Sequence, residues 1–337
     1  MEALVGFLAA AHRQRTRSFR ARSTHTRGIA ARGTAEITAG AEIPANAFFK
    51  HGKRLDAVVR FANAEWEDDA SLDLRGIGVR LGSGAHSLDF AMNTGARTAF
   101  WDTRSLIRHT IAHVRGTAAA KERWLRNSEA RDAQLSTLVR APNSFAELTY
   151  HSQMVFRFVG IDGIERACRY RMKPIGVSGT HSLSEADRRE PWNRKRLPEE
   201  MRSESYLREE LRARIVRSAI EFSLEIQTRA LPETREIDAF KASLLWDEER
   251  HPWREVARVE LSRIIPDEEA EQLQFSVVNA PESLGIFQAG GPGDPNCLLW
   301  YRAVVYGRVQ PARMSSTVRS LPQRISLLER SRVSSGT

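Results

Sequence analysis

Residues 220–227 alternate strictly between apolar and polar side chains and read Ile-Glu-Phe-Ser-Leu-Glu-Ile-Gln. Successive side chains of a β-strand point to opposite faces, so this pattern predicts a strand over residues 217–227 with one dry and one wet face. Other segments alternate or are apolar with β-branched members, and glycine, proline or asparagine separate them. We expect such strands at residues 32–38, 57–62, 74–82, 86–91, 153–160, 165–173, 254–262 and 272–278. Together they predict an antiparallel β-barrel that the last two strands close.

Helices are expected around this barrel, which makes the chain an α+β protein. Residues 101–140 are rich in Ala, Leu, Arg and Glu, with no proline and one glycine, which favours helices. Residues 180–214 are dense in Arg and Glu with two prolines, which indicates an extended surface arm leading into a solvated helix. A further helix is expected to begin near Cys297. Because barrels commonly reach roughly 200 to 250 residues as one domain, we predict an N-terminal helix or arm over residues 1–20, one domain over residues 21–314 and a tail over residues 315–337.

Three short segments, far apart in the chain, carry chemistry that would fit one site. Arg302 and Tyr306 are four residues apart, so they share a face of the predicted helix, where the guanidinium would favour the phenolate. A phenolate is an uncommon ligand of haem iron. His25 could move a proton between the oxygens of a bound peroxide, and the Asn93 amide could hydrogen-bond it. Taken singly, a histidine beside arginines is usually a surface group, Asn93 could cap a turn, and Tyr306 could be a core residue. Taken together, they predict a haem pocket with Tyr306 as the iron ligand.

These segments resemble the catalase family, in the family's order. Catalases carry their catalytic histidine in a segment R-x-x-H-x-x-G-x-x-A-x-G-x-x-E, which residues 22–36 follow closely. A V-R-F strand follows at residues 59–61, and residues 73–80 are similar to the family's D-x-R-G-F-A-V-K. Residues 152–158 and 169–171 look like two later strands of the same barrel. The resemblance covers roughly residues 20–315 and implies a catalase-type haem core.

The resemblance also implies the cofactor, haem b, and further residues that hold it. Arg22, Arg60 and Arg313 match family positions that bind the haem propionates, and Arg313 lies seven residues after Tyr306, as in the family. Phe61 and Phe100 are expected to stack on the haem.

Departures from the catalase pattern bear on the substrate. Thr24 stands where catalases have a valine, and its hydroxyl could bond His25 and restrain its acid–base role. Gly95 stands where they have a proline. At both positions the chain resembles the catalase-related allene oxide synthases, which rearrange fatty-acid hydroperoxides. The tyrosine helix also lies close to the C-terminus, so we expect a trimmed core with a more open route to the haem.

These features favour a haem enzyme that cleaves the O–O bond of an organic, fatty-acid hydroperoxide, by rearrangement or by peroxidase-type reduction. Two alternatives remain open. One is a small catalase or peroxidase acting on hydrogen peroxide, and the other is a haem-binding protein without turnover. A protein that only binds haem needs the Arg302–Tyr306 pair far more than His25 and Asn93, so the presence of all four argues against that second alternative.

The charge balance favours no nucleic-acid partner. The chain has 51 basic and 42 acidic residues, and the excess of nine is spread along its length without a long block of like charge. The apolar residues 3–11 precede the arginines, the reverse of a secretory signal, and are too few to span a bilayer. We therefore expect a cytoplasmic protein, with peripheral membrane contact through this segment as an alternative to its packing on the protein. We also expect a homo-oligomer.

Neither the cysteines nor a histidine pair indicates a second metal site. Cys168 and Cys297 form no C-x-x-C motif, so neither a structural zinc site nor a redox motif is supported. His109 and His113 lie four apart on a predicted helix. Without an adjacent glutamate or a third ligand, a helix surface is favoured over a zinc site.

Overall fold

The computed structural model describes residues 24–108, 126, 128–177, 183–231 and 237–304 of the 337-residue chain. Eight antiparallel strands close into a barrel in the order β8-β6-β4-β3-β2-β1-β10-β9, because β9 also pairs with β8. Strands β7 and β11 extend the sheet beyond β8, and β5 pairs with β3. The strands are β1 Gly28–Ile37, β2 Arg54–Asn63, β3 Leu72–Leu81, β4 Leu88–Thr94, β5 Leu138–Arg140, β6 Tyr150–His151, β7 Phe156–Val159, β8 Glu165–Pro174, β9 Ile220–Ala230, β10 Arg254–Ile265 and β11 Leu284–Gly285.

Helices and short helical turns pack around the barrel. Among the described residues, the α-helices are Ser128–Thr137, Glu185–Arg189, Tyr206–Arg217, Ile237–Phe240 and Asp267–Gln272, and residues 103–108 and 297–304 are also helical. Two 3₁₀ turns cover Gly84–His86 and Phe145–Glu147. Within these residues, no helix is long and apolar enough to cross a membrane. The antiparallel barrel with added helices confirms the predicted fold class.

The barrel interior is the main hydrophobic core. It is filled by one face of each strand, with fully buried residues such as Ile29, Val79, Phe90 and Leu224. Aromatic rings interlock there, and Tyr170 lies 4.7 Å from Phe90 between ring centroids. Aromatic side chains combine large apolar area with preferred edge or tilted contacts, so this interior provides a rigid wall for groups on the outer face.

The strand predictions agree with the structure to within a few residues, with one exception. Residues 272–278 do not form a strand, since the helix Asp267–Gln272 ends there and the chain continues without regular structure. The barrel is closed by the β9–β8 pairing instead. The apolar residues in this segment pack from outside, as shown by the Phe275 ring, which lies against Gly78. An apolar run alone does not distinguish a strand from a covering loop.

Two helical predictions are also corrected. The helix Tyr206–Arg217 is not solvated all round, because Tyr206, Leu207, Leu211 and Ile215 are buried in the main core. Within residues 101–140, the helix that ends at Thr137 is followed by β5. The residues before the helix Tyr206–Arg217 are tied to neighbouring segments by ion pairs, for example Arg196 with Asp68 at 2.7 Å. The high density of charged residues therefore led the prediction to underestimate how much of this segment is buried.

Several predictions lie outside the described residues. They are the arm over residues 1–20, the tail over residues 315–337, the histidine pair His109 and His113, and the site residues Arg22, Tyr306 and Arg313.

Candidate active site

The outer face of the barrel carries a row of paired residues that defines the site. Cross-strand pairing places Ala62 opposite Gly76, Gly76 opposite Asn93, and Asn93 opposite His151. Directly paired residues present their side chains on the same face of a sheet. Gly76 thus lies next to Asn93, and Ala62 lies one strand further along the row. These two small residues leave a shallow recess on β2 and β3.

The His25 imidazole occupies this recess. A Cβ atom on Gly76 would lie 2.3 Å from His25 Nε2 and 3.0 Å from Asn93 Oδ1. Only a glycine therefore permits this approach of the imidazole to the sheet. The structure brings His25 and Asn93 together as predicted, and it adds Gly76, which the sequence analysis left without a role.

His25 is held by its backbone as well as by its ring. Its φ of 56° is uncommon for a residue other than glycine. Its amide donates to Ala64 O at 2.9 Å, and its carbonyl accepts from Arg60 Nη1 at 3.0 Å. Such a conformation persists only where surrounding bonds fix it, and these two bonds join it to β2 and the residue that follows it.

The buried Arg60 side chain holds the backbone of the segment that carries His25. It is 5% exposed, and it also donates to Thr26 O at 3.3 Å and pairs with Glu271 at 2.8 Å. Burial lowers the pKa of Arg60, and the charge of Glu271 opposes this shift. A Cβ on Gly28 would lie 2.5 Å from Arg60 Cζ, so this glycine lets the guanidinium lie against β1. The predicted propionate contact of Arg60 stays a prediction.

Thr24 contacts the histidine ring as the sequence analysis expected. Thr24 Oγ1 lies 3.3 Å from His25 Nδ1. A neutral imidazole has one donor and one acceptor nitrogen, so this contact couples the proton on Nδ1 to the proton state of Nε2. When Nδ1 donates to the threonine, Nε2 is left as a proton acceptor.

Asn93 is oriented by Gln153, a residue of the predicted strand 153–160 to which the sequence analysis gave no role. Asn93 Nδ2 donates to Gln153 Oε1 at 3.2 Å. Gln153 Nε2 in turn donates to the carbonyls of Gly95 and Arg97, each at 3.2 Å. These carbonyls fix the orientation of the Gln153 amide and hence direct Asn93 Oδ1 toward the recess of His25. The residues are 60 positions apart, and no sequence pattern pairs them.

Phe61 does not belong to the site. It lies on the opposite face of β2 from Arg60 and Ala62, is fully buried inside the barrel, and its ring centroid is 5.9 Å from that of Phe145. The strand's alternation places neighbouring side chains on opposite faces, so the predicted stacking of Phe61 on haem is corrected. Phe100 packs at the edge of the main core, and its stacking role stays a prediction.

The helical segment 297–304 brings Arg302 to the same strand as Asn93. Arg302 Nη1 donates to Ala91 O at 3.4 Å. This contact places the predicted proximal segment beside β4, two residues from Asn93. Cys297 lies at the start of the helical segment, as expected, and accepts hydrogen bonds from Thr103 through its Sγ.

The turn after β4 differs from what a proline would allow. Gly95 has a φ of 80°, whereas the proline ring fixes φ near −65°. A Cβ on Gly95 would lie 2.6 Å from Ser136 O, at the end of the helix Ser128–Thr137. The glycine at this position therefore accompanies a different backbone conformation and a close contact with that helix.

The sequence model of the family described as Catalase matches residues 5–331. The chain belongs to the catalase family. Family and fold together imply a haem-type cofactor. The side chains described here fit such a group: an imidazole and an amide share a recess lined by small residues, and the buried Arg60 cation stands beside it. The Arg302 segment lies next to the same strand.

Two curated proteins that are similar to this chain are lipoxygenase proteins by name. An allene oxide synthase-lipoxygenase protein of Plexaura homomalla is 33% identical over 299 residues, which is 87% of this chain and 28% of that protein. A linolenate 9R-lipoxygenase of Nostoc is 28% identical over 258 residues, which is 73% of this chain and 32% of that protein. The chain thus spans about a third or less of either relative's length.

Solved catalases share the fold. A bacterial catalase superposes with a TM-score of 0.71 at 18% identity, covering 95% of this chain and 62% of its own. Catalase A of Saccharomyces cerevisiae gives a TM-score of 0.69 at 18% identity, covering 91% of this chain and 64% of its own.

Proposed function

We propose that this protein is a haem b enzyme that cleaves the O–O bond of an organic hydroperoxide, with a fatty-acid hydroperoxide as substrate. The observation that carries the proposal is the meeting of His25 Nε2 and Asn93 Oδ1 over Gly76, with Thr24 on the other ring nitrogen. The similarity to an allene oxide synthase-lipoxygenase protein supports the choice of substrate.

The proposed roles follow from the side chains. A haem held here would supply a ferric iron as Lewis acid and redox centre. Tyr306 would provide its anionic ligand, and Arg302 would favour the phenolate. His25 Nε2 would accept the hydroperoxide proton and return it to the departing oxygen. Asn93, held through one N–H by Gln153, has a second N–H to orient the peroxide. Rearrangement to an epoxide needs no external electrons, whereas reduction to the alcohol needs two from a donor.

The test is a parallel assay of the purified, haem-loaded full chain. Hydrogen peroxide is followed by oxygen release. A fatty-acid hydroperoxide is followed by loss of its conjugated-diene absorbance, which reports rearrangement, and by chromatography in the presence of an electron donor, which reports reduction to the alcohol that keeps the diene. We expect fast loss of the diene and slow oxygen release, with both reduced at least tenfold in His25→Gln. Rapid oxygen evolution with little diene loss would instead identify a small catalase. No turnover of either peroxide would identify a haem-binding protein.

The iron ligand has its own test, since Tyr306 lies outside the described residues. Replacing Tyr306 by Phe removes the anionic oxygen, so we expect most of the haem to be lost on purification. Arg302→Leu should keep the haem but shift its absorption spectrum, because an opposite charge about 4 Å from a phenolate contributes on the order of 1 to 4 kcal/mol. A Tyr306→Phe protein with full haem and an unchanged spectrum would mean that another residue is the ligand.

A further inference from the structure

A small cavity lies on the outer face of the barrel, next to the candidate active site. Its wall includes His151, Gln153, Arg169, Gln227, Trp246 and Trp253. The register of β6, β8 and β9 brings these strands together, with His151 opposite Arg171 and Arg169 opposite Gln227. The space open to the centre of a water-sized sphere is about 20 Å³. This is room for one water molecule or one ion of similar size.

Arg169 brings an unbalanced charge to this cavity. The described part of the chain contains four buried arginines, and three of them pair with a carboxylate: Arg60 with Glu271, Arg75 and Arg194 with Asp73. Arg169 is 3% exposed. In the same part of the chain its guanidinium donates hydrogen bonds only to the carbonyls of Leu244 and Lys241, lies 4.8 Å from the centroid of the Trp246 ring, and pairs with no carboxylate.

The remaining guanidinium nitrogen of Arg169 has no acceptor among the described residues. Its Nε is buried without a hydrogen-bond partner. Burial and the nearby Arg229 lower the pKa of Arg169 to about 9, so the group is still protonated at neutral pH. Buried charges in proteins are almost always paired, because an isolated ion in a low dielectric is costly. A water molecule could accept the Nε proton but would leave the charge unbalanced.

His151 offers a second donor at the same place. Its Nδ1 is also buried, with no hydrogen-bond partner in the described part of the chain, and its ring packs against Trp253 with 6.0 Å between centroids. Burial and the two arginines beside it lower the pKa of His151 to about 3, so the ring is neutral and carries one N–H. The carboxylate in the wall, Glu248, accepts from Trp253 Nε1 at 3.1 Å.

We propose that this cavity is a binding site for one small monovalent anion of about the size of chloride, with Arg169 as its counter-charge. The available space excludes a carboxylate that carries a hydrocarbon chain. Gln153 forms part of the wall and also bonds Asn93, so the anion lies one side chain away from the candidate active site. The proposal is independent of the peroxide chemistry, since it concerns the folded protein alone.

Thermal unfolding of the haem-loaded full chain tests the site. Chloride is raised from zero to 0.5 M against gluconate at constant ionic strength, because gluconate is too large for the cavity. A ligand that binds only the folded state raises the midpoint, and we expect a rise of about 2 °C or more. The rise should be lost in Arg169→Met and kept in Arg54→Met, which removes an exposed arginine. An equal rise in both variants, or none in the wild type, would overturn the proposal.

A second measurement does not depend on any variant folding. Crystals of the wild-type protein soaked in bromide should show an anomalous peak within hydrogen-bond distance of Arg169 Nε. Density for water at that place, without an anomalous signal, would show that the cavity holds solvent only and would refute the anion site.

Discussion

Gly76 controls where the His25 imidazole can lie. A methyl group at this position would be 2.3 Å from His25 Nε2, so Gly76→Ala must displace the ring or move the strand. A positioned acid–base group commonly contributes about 10² to 10⁴ in rate, and we expect peroxide turnover to fall at least tenfold.

The control for Gly76→Ala is Gly291→Ala, since a Cβ there meets no atom within 4 Å. Steady-state kinetics and haem absorbance should be measured on both variants. Unchanged turnover in a folded, haem-loaded Gly76→Ala protein would contradict the placement of His25 in the recess.

Thr24 sets how readily His25 can exchange a proton. Its hydroxyl lies 3.3 Å from Nδ1, and one such hydrogen bond contributes roughly 0.5 to 1.5 kcal/mol, or about two- to tenfold in rate. Thr24→Val should therefore raise catalase-type turnover of hydrogen peroxide several-fold, as oxygen release, with haem content unchanged.

Thr24→Ser keeps the hydroxyl and should leave oxygen release near the wild-type rate. If valine left the rate flat or lower, the threonine would be a packing residue, and it would no longer support a lipid hydroperoxide as the substrate.

The turn that ends β4 packs closely against the helix Ser128–Thr137. Gly95 combines a positive φ with a backbone approach to Ser136 O, where a Cβ would be only 2.6 Å away. Gly95→Ala must then break the contact with the helix Ser128–Thr137 as well as strain the turn. We expect a loss of about 2 to 4 kcal/mol in the free energy of unfolding, measured by urea titration.

Gly163→Ala separates these two effects. Gly163 has a similar φ of 74°, but a Cβ there meets no atom within 4 Å. It should lose only about 1 to 2 kcal/mol, the cost of the backbone conformation. Equal losses in the two variants would mean that the turn does not press on the helix.

The stability of the whole molecule should depend on pH through His151. Its pKa falls from 6.5 to about 3 on folding, so between these values the unfolded chain binds a proton that the folded protein does not. Stability is therefore fully present above pH 6.5 and is lost as pH falls toward 3. The limiting slope is about 1.4 kcal/mol per pH unit.

Replacing His151 by Phe removes this dependence. In chloride-free buffer, wild-type protein should lose roughly 1 to 2 kcal/mol more than the variant between pH 7.5 and 5, measured by chemical denaturation. His51→Phe, at an exposed histidine, is the control. A loss of the same size in His151→Phe and wild type would show that the imidazole is solvated in the folded protein.

Assembly and cellular location are also properties of the whole molecule. The homo-oligomer, the peripheral membrane contact and the cytoplasmic location expected from the sequence remain predictions.

The sequence by itself determined the barrel and its chemistry-bearing segments. Alternation with period two depends on neighbouring residues only, so strands such as β3 and β9 could be placed to within a few residues. The resemblance to catalases then predicted His25, Asn93 and Thr24 as site residues, because these lie in contiguous motifs.

Only the tertiary structure decided which side chains meet. Alternation along β2 requires Arg60 and Phe61 to lie on opposite faces, but which of the two faces points into the barrel depends on how the sheet closes, and the structure places Phe61 on the inner face. Gln153 bonds Asn93 although the two residues are 60 positions apart. Arg169 is surrounded by backbone carbonyls such as that of Leu244 and not by a carboxylate in the described part of the chain. Such contacts arise from strand register and closure, which join distant residues, and local patterns in a sequence carry no record of them.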